Sequence, residues 1–241
     1  MASTKKFSRR SFISTMSTGS LITGMASAIP VLGNVSIIEG TVLPNTNPDI
    51  IDTNVDLFGW PFRRMKYGDT KSLVAKLRQH RIAKAWAGSF EALFSKSINE
   101  VNARLAEECR VRGEGILIPF GAVNPAWPDW EEDLRRCHEV YKMQGIRLYP
   151  IYQTFDFNHV EFSRLMSKAA ERGLIIQIVG DMEDSRVHHP IVITRDVSFA
   201  PLVDIMKRIP KAKIQLLGWN QRVGGELLEK LVSQTNVMLD I

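Results

Sequence analysis

Short apolar runs alternate with longer amphipathic stretches along most of this chain. The apolar runs are rich in Ile, Val and Leu and predict buried strands, whereas the amphipathic stretches predict helices. The predicted strands cover residues 50–56, 83–88, 115–121, 145–149, 174–179, 213–219 and 236–241. The predicted helices cover residues 70–80, 98–112, 129–141, 160–172, 199–209 and 226–234. Strands that alternate with helices indicate right-handed βαβ units and a parallel sheet.

Seven strands at this spacing predict an α/β fold, a (β/α)8 TIM barrel present as about seven βα units with the eighth missing. The alternative is a doubly wound open sheet, but no G-x-G-x-x-G turn follows the first strand. The chain stops inside the seventh predicted strand, at Asp240-Ile241. We therefore expect a barrel domain over residues 48–241 that is incomplete at its C-terminus.

Alternation within the strands predicts which side chains face the lumen of the barrel. In the first strand Ile51, Thr53 and Val55 are the less polar set and are expected to pack outward. The inward set then comprises Asp52, Asn54, Asp56, Arg147, Tyr149, Gln177, Val179 and Asp181. Burying an arginine and several aspartates is costly unless they are paired or bind something. The sequence therefore predicts a polar mouth to the lumen.

The stretch from Gly173 to Pro190 holds the densest group of ionisable side chains after any predicted strand. Its members are Asp181, Glu183, Asp184, Arg186, His188 and His189. Because sites form at the carboxyl ends of parallel strands, this is the first candidate for chemistry. The alternative is a solvated, salt-bridged loop in which the two adjacent histidines form a capped turn before Pro190.

Charge and cysteine content narrow the classes of function. Four of the five net positive charges belong to lysines and arginines of residues 1–28, so the rest of the chain carries +1. A body so close to neutral gives no electrostatic reason to expect nucleic acid as a partner. Two cysteines, Cys109 and Cys137, lie in predicted helices and are expected to be buried, inert thiols, with a single disulfide bridge between them as the alternative.

The first 28 residues resemble a twin-arginine signal peptide. Ser8-Arg9-Arg10-Ser11-Phe12-Ile13 precedes a moderately apolar segment that is too short and too polar to be a stable membrane span, and Ala26-Ser27-Ala28 offers a cleavage site. The resemblance implies export by the twin-arginine translocase to the periplasm or beyond. A disordered basic tail is the alternative. Residues 29–47 are unpatterned and predict a linker.

Four short runs stand out in the body of the chain: Asp52–Asp56, Pro119–Pro125, Gly145–Pro150 and Asn236–Asp240. In their order and spacing these runs resemble the amidohydrolase-related family of metal-dependent TIM-barrel hydrolases and decarboxylases. The family typically begins with an Asp-x-His-x-His strand, and Asn54 and Asp56 stand at its two histidine positions. Val179 stands where a histidine is expected, residues 213–220 hold none, and the eighth-strand aspartate lies beyond Ile241. The usual metal site is missing.

The resemblance implies a hydrolase acting on a small organic acid, lactone or amide, with decarboxylation as another option. If a divalent metal is bound, zinc is favoured over manganese or iron, with Asp56, Asp181 and His188 as ligands. If none is bound, Arg147 holds a substrate carboxylate and a carboxylate acts as base. In the competing account, Arg147 pairs with Asp52 or Asp56 in place of the metal.

The predicted site has two groups of residues. The catalytic residues are Asp56, Arg147 and Asp181. The substrate-binding residues are Asn54, Trp60, Arg63, Tyr149, Glu183, Arg186 and Asn220. The alternative from another class is a non-catalytic barrel relative, a periplasmic binding or complex subunit. A homo-oligomer is compatible with either interpretation.

Overall fold

The structure is a computed structural model that describes residues 50–184 and 186–240. The predicted signal peptide, residues 1–28, and the predicted linker, residues 29–47, lie outside the described residues.

The described part of the chain alternates strands and helices as predicted. The strands are β1 (Ile50–Leu57), β2 (Ile82–Ser89), β3 (Leu117–Ala122), β4 (Gly145–Leu148), β5 (Ile175–Val179), β6 (Lys213–Leu217) and β7 (Met238–Leu239). The helices are α1 (Thr70–Gln79), α2 (Ile98–Arg112), α3 (Trp130–Glu139), α4 (Val160–Glu171), α5 (Pro201–Arg208) and α6 (Gly225–Gln234). A short 3-10 helix, Phe90–Leu93, follows β2 and was not predicted. None of the described helices is long and apolar enough to cross a membrane.

The strands form one parallel, seven-stranded sheet in chain order from β1 to β7. In a flat sheet β1 and β6 would lie about 24 Å apart, at about 4.8 Å per strand. Instead, Nε2 of Gln215 on β6 donates to Oγ1 of Thr53 on β1 over 2.7 Å. Nδ2 of Asn54 likewise donates to the Asp240 carboxylate, just beyond β7, over 3.0 Å. The sheet is therefore curled, which confirms the incomplete TIM barrel.

A β-bulge in β1 corrects one part of the predicted inward and outward pattern. Asp52 lies opposite Ala85 and Val55 lies opposite Ala87, so the register shifts by one residue between them. A bulge changes the alternation of side chains along its strand. Val55 packs outward against the helices as predicted, but the Thr53 hydroxyl faces the lumen, where it accepts the Gln215 hydrogen bond. The prediction that Thr53 packs outward is wrong.

Apolar side chains fill the space between the sheet and its surrounding helices. Ile146 and Ile178 from the strands and Leu134 and Leu165 from α3 and α4 are fully buried in the largest cluster. Cys109 and Cys137 are buried and free, which confirms the prediction of unbridged thiols. Burial raises the pKa of Cys109 to about 12 and also raises that of Cys137, so both thiols stay protonated and inert at neutral pH.

Candidate active site

A cavity of about 150 Å3 opens at the carboxyl ends of β1, β5 and β6. It lies where barrel enzymes place their active sites. Six predicted site residues line it: Asn54, Asp56, Trp60, Arg63, Asp181 and Glu183. The remaining lining residues are mostly apolar and include Phe90, Val179 and Leu217. The structure thus brings together side chains that are up to 129 positions apart in the sequence, Asn54 and Glu183 being the extremes.

Arg147 lies beneath this cavity and is fully buried. Its Nη1 donates to Oδ1 of Asp56 over 2.8 Å and to the carbonyl of Val55 over 3.0 Å. Its Nε donates to the Gln177 side chain over 2.8 Å, and its Nη2 donates to the carbonyls of Trp86 and Thr53 over 3.1 and 3.4 Å. The predicted pairing of Arg147 with an aspartate is present, and Asp56 is the partner. Asp52 instead accepts from the backbone N–H of Asn54.

These contacts correct the role predicted for Arg147. A guanidinium has five N–H donors, and Arg147 makes five hydrogen bonds to protein atoms. With its donors occupied and its surface buried, it has no free edge for the carboxylate of a substrate. Packing also fixes its position, because a Cβ on Gly88 would lie 2.6 Å from Arg147 Nη1 and 2.6 Å from Asp56 Oδ1. Arg147 is a structural cation that orients Asp56.

A row of polar side chains continues from Arg147 across the lumen. Arg147, Gln177 and Gln215 occupy equivalent positions on β4, β5 and β6, so their side chains share one face of the sheet. Gln177 Nε2 donates to Gln215 Oε1 over 2.9 Å, and Gln215 in turn reaches Thr53. A buried network is stabilising only when its members are satisfied, as these are. The row forms the floor below the cavity.

Asp56 keeps one oxygen available at this floor. Its side chain is 10% exposed, and only Oδ1 accepts a hydrogen bond from residues 50–184 and 186–240. Oδ2 is therefore the acceptor that a ligand or a water molecule in the cavity can reach. This geometry suits a fixed proton acceptor.

Asp181 has a partner that the sequence analysis missed. Arg222 lies in the loop after β6, and its Nε and Nη2 donate to the two Asp181 oxygens over 2.7 and 2.8 Å. Its Nη1 donates to Asp196 over 3.1 Å. The hydrogen bond to Asp181 raises the pKa of Arg222, so the guanidinium stays charged. The position of Arg222 after a predicted strand was the available signal, but nothing in the sequence showed which carboxylate it would reach.

Glu183 forms the third acid–arginine pair of the cavity. Its Oε1 lies 3.2 Å from Nε of Arg63, with the glutamate side chain 10% exposed and the arginine side chain 60% exposed. Arg63 belongs to the loop after β1, which begins with Phe58 and Gly59 in left-handed conformations (φ 72° and 70°). These two residues turn the chain so that the loop returns across the mouth of the cavity.

Besides Arg147, four predicted residues lie outside the cavity lining. Tyr149 is fully buried below it, whereas Arg186, His188 and Asn220 belong to loops around the mouth and do not line it. Arg186 instead pairs with Asp184, its Nε donating to Oδ1 over 2.9 Å, as the salt-bridged-loop alternative predicted. In the same loop His189 accepts at Nδ1 from the backbone N–H of Ile191 and stacks on Phe62 at 4.8 Å between ring centroids. This is the capped turn that was the alternative to a ligand pair.

Two buried polar atoms near the cavity have no hydrogen-bond partner in the described structure. They are Nε1 of Trp60 and the hydroxyl of Tyr149. Burial and the nearby Asp56 carboxylate raise the pKa of Tyr149, so the phenol stays protonated at neutral pH. An unsatisfied buried donor of this kind costs about 1–3 kcal/mol. The Trp60 indole, which lines the cavity, is thus a donor without an acceptor at the edge of the site.

The residues at this site do not fit the divalent metal that the family resemblance implies. Asp181 has both oxygens bound to Arg222, and Asp56 has one bound to Arg147. Within residues 50–184 and 186–240, no three His, Cys, Asp or Glu side chains lie close enough together to hold an ion. The ligand set predicted from the sequence, Asp56, Asp181 and His188, is therefore not assembled. Guanidinium groups occupy the carboxylates that a metal would need.

The comparisons with known proteins settle the family. The family model described as amidohydrolase matches residues 58–216, which is more than half of the chain. This chain belongs to the amidohydrolase family. No curated protein matches its sequence.

Solved structures share the fold of this chain at low sequence identity. The 5-carboxyvanillate decarboxylase of Novosphingobium aromaticivorans, solved with bound manganese, aligns with a TM-score of 0.55 at 13% identity, over 79% of this chain and 78% of that one. A probable 2-pyrone-4,6-dicarboxylic acid hydrolase of Acinetobacter baumannii aligns with a TM-score of 0.51 at 10% identity, over 80% and 69%. The 2,6-dihydroxybenzoate decarboxylase of Rhizobium aligns with a TM-score of 0.49 at 16% identity, over 70% of this chain. This chain spans only 65% of the length of that decarboxylase.

Proposed function

We propose that this chain is an enzyme that hydrolyses a lactone or an amide of a small organic acid in the cavity at the mouth of the barrel. The observation that carries the proposal is the position of Asp56 Oδ2, an available carboxylate oxygen at the floor of a cavity lined by Trp60, Phe90 and Arg63. The volume of about 150 Å3 suits a ligand with one ring, since an apolar cavity of that size in another protein binds benzene.

Three residues take the proposed roles. Asp56 accepts a proton from a water molecule as that water attacks the carbonyl carbon, and it returns the proton to the leaving oxygen or nitrogen when the C–O or C–N bond breaks. Arg147 orients the aspartate. Arg63, whose guanidinium is mostly exposed, takes the role of anion holder that the sequence analysis gave to Arg147. Asp181, held by Arg222, orients polar groups of the substrate. Because the residues present do not fit a divalent ion, no step is assigned to one.

The two structural relatives differ in reaction, and product analysis separates the two possibilities for this chain. The relatives are a decarboxylase and a probable hydrolase. A screen of lactones, amides and aromatic carboxylic acids, read by acid release and by carbon dioxide release, identifies which reaction this chain performs. Release of carbon dioxide alone would replace the hydrolase proposal with a decarboxylase.

Asp56→Asn tests the role of the proton acceptor. We expect turnover to fall by about 10²–10⁴-fold, the usual contribution of a general base, while the circular dichroism spectrum stays unchanged. Asp184→Asn is the matched control, because Asp184 also pairs with an arginine but lies outside the cavity lining. Turnover that survives Asp56→Asn would contradict the proposal.

A non-catalytic binding subunit is the second candidate. It is favoured by the pairing of all three acidic cavity residues with arginines, which leaves few groups free for chemistry. In that case calorimetry would detect binding of a small acid by a protein that turns over none of the screened compounds.

We further propose that the chain is exported by the twin-arginine translocase to the periplasm or beyond. The support is the Arg9-Arg10 pair with the apolar segment that follows it. Replacing both arginines with lysine should leave the full-length precursor in the cytoplasm. The N-terminal sequence of the wild-type exported form should begin at Ile29. Export that is unaffected by the double substitution would contradict the proposal.

A further inference from the structure

The three acid–arginine pairs around the cavity differ in how firmly the cation is held. Arg147 makes five hydrogen bonds and is fully buried. Arg222 holds both oxygens of Asp181 and also Asp196, with its side chain 20% exposed. Within the described residues Arg63 makes one ion pair, its Nε lying 3.2 Å from Glu183 Oε1, and its side chain is 60% exposed. Of the three, Arg63 is therefore the cation whose partner is most readily exchanged.

Glu183 presents a carboxylate to Arg63 at the edge of the cavity. Its side chain is only 10% exposed, it lines the cavity, and its carboxylate faces the exposed guanidinium. We propose that Glu183 is a specificity-determining residue, an internal carboxylate that pairs with Arg63 in the ligand-free protein and that an anionic ligand must displace. The inference rests on the proposed function, because it concerns the same cavity.

The surroundings of Arg63 allow this exchange without refolding of its loop. Trp60 and Phe62, which flank Pro61 just before Arg63, pack edge-to-face with ring centroids 5.6 Å apart. Trp60 also packs against Phe90 at 5.3 Å, which anchors the loop to the residues after β2. Because aromatic contacts hold the loop backbone, rotation of the exposed Arg63 side chain is sufficient to change its partner.

The charge balance of the site determines which ligands Glu183 affects. With Asp56, Asp181 and Glu183 each opposite an arginine, these six groups sum to zero charge. Replacing Glu183 with glutamine leaves the Arg63 charge uncompensated, which favours an anion in the cavity. A neutral ligand of the same shape gains nothing from that change. Glu183 therefore lowers the affinity for anions selectively.

Binding of benzoate and of its neutral analogue benzamide tests the inference by isothermal titration calorimetry on the full chain. Both are single-ring compounds that suit the cavity volume of about 150 Å3. For Glu183→Gln we expect benzoate to bind about two- to fivefold more tightly than to the wild-type protein, the range expected for a largely exposed ion pair, with benzamide unchanged. For Arg63→Gln we expect benzoate to lose about tenfold in affinity.

Glu91→Gln is the matched control. Glu91 also pairs with an arginine at the barrel mouth, Arg104, but does not line this cavity, so benzoate affinity should stay at the wild-type value. Equal benzoate affinity in Glu183→Gln and the wild-type protein, including undetectable binding to both, overturns the inference, as does equal tightening for benzamide. The affinity pattern without turnover of any screened compound supports the inference and removes the hydrolase proposal. Turnover without the affinity pattern overturns the inference and leaves the hydrolase proposal standing.

Discussion

The floor and the rim of the candidate site each hold one arginine–carboxylate pair, and the two pairs differ in what they do. At the floor, Arg147 and Asp56 are both largely buried, and Arg147 is also bonded to Gln177 and to three backbone carbonyls. At the rim, Arg63 and Glu183 make one contact, and water surrounds most of the arginine. The floor pair fixes the geometry of the barrel, whereas the rim pair is available for exchange with a ligand.

The difference follows from the cost of moving a charge out of water. A buried guanidinium is tolerated only when its donors are satisfied, so its neighbours must all be in place before it contributes stability. An exposed guanidinium already has water as an alternative partner, so its ion pair adds at most about 1 kcal/mol. Removal of each arginine should therefore have very different consequences.

Arg147→Met should have the largest effect. It leaves the Asp56 carboxylate buried without a counter-charge and removes partners from Gln177 and three carbonyls. We expect the free energy of unfolding to fall by about 3–5 kcal/mol, measured by urea denaturation. Adding Asp56→Asn should recover part of the loss, because an amide does not need a counter-charge. A loss below 1 kcal/mol would show that the floor pair is no more structural than the rim pair.

Asp133→Asn should have an intermediate effect on the free energy of unfolding. Asp133 sharpens the comparison because it is a buried carboxylate that accepts no hydrogen bond from an arginine within the described residues. Burial and the neighbouring Asp129 raise the pKa of Asp133 from 3.8 to about 6. The folded protein therefore binds the proton more tightly than the unfolded chain, and stability falls as the pH rises from 3.8 to about 6. At pH 7 the asparagine variant should be more stable by about 1–2 kcal/mol, allowing for solvent screening.

Urea denaturation between pH 4 and pH 7 measures this effect. The advantage of Asp133→Asn should shrink as the pH falls through about 6 and be largely gone at pH 4, near the ordinary pKa of 3.8 at which the aspartate of the unfolded chain also takes up a proton. Asp204→Asn is the control, because Asp204 also lies in the first turn of a helix but is exposed. An advantage that does not depend on pH would contradict the assignment.

Arg63→Gln should have the smallest effect on stability. With its side chain 60% exposed and a single contact to Glu183, its removal should change the free energy of unfolding by less than about 1 kcal/mol. The same denaturation experiment measures it alongside Arg147→Met. A loss as large as that of Arg147→Met would mean that the rim pair is part of the structural network and would remove the basis for ligand exchange.

Most of the fold could be predicted from the sequence because it depends on local pattern. The periodicity of apolar residues gave the strands and helices nearly to their ends; α2, for example, spans residues 98–112 both as predicted and as observed. The bulge in β1 escaped prediction, because a shift of register depends on the neighbouring strand rather than on the residues that shift. The Thr53 side chain was assigned to the wrong face for this reason.

The membership of the site was partly predictable, whereas of its three acid–arginine pairs only that of Arg147 with Asp52 or Asp56 was foreseen. Strand parity and the rule that sites form at the carboxyl ends of strands brought Asp56, Asp181 and Glu183 into the prediction, and all three line one cavity. The sequence left two roles open for Arg147, holder of a substrate carboxylate or partner of an aspartate, because parity places a side chain in the lumen without counting its acceptors. Arg222 was missed because a loop residue has no periodicity to indicate where its side chain lies.

The sequence by itself determined the order of the elements, the parallel sheet and the absence of the family's histidines from positions such as Asn54 and Val179. Only the tertiary structure decided which arginine meets which carboxylate, because those contacts join residues 91 positions apart at the floor and 41 positions apart at Asp181 and Arg222. Burial then decided what each contact does. Exclusion of water makes Arg147 a structural cation, and access to water leaves Arg63 free to exchange its partner.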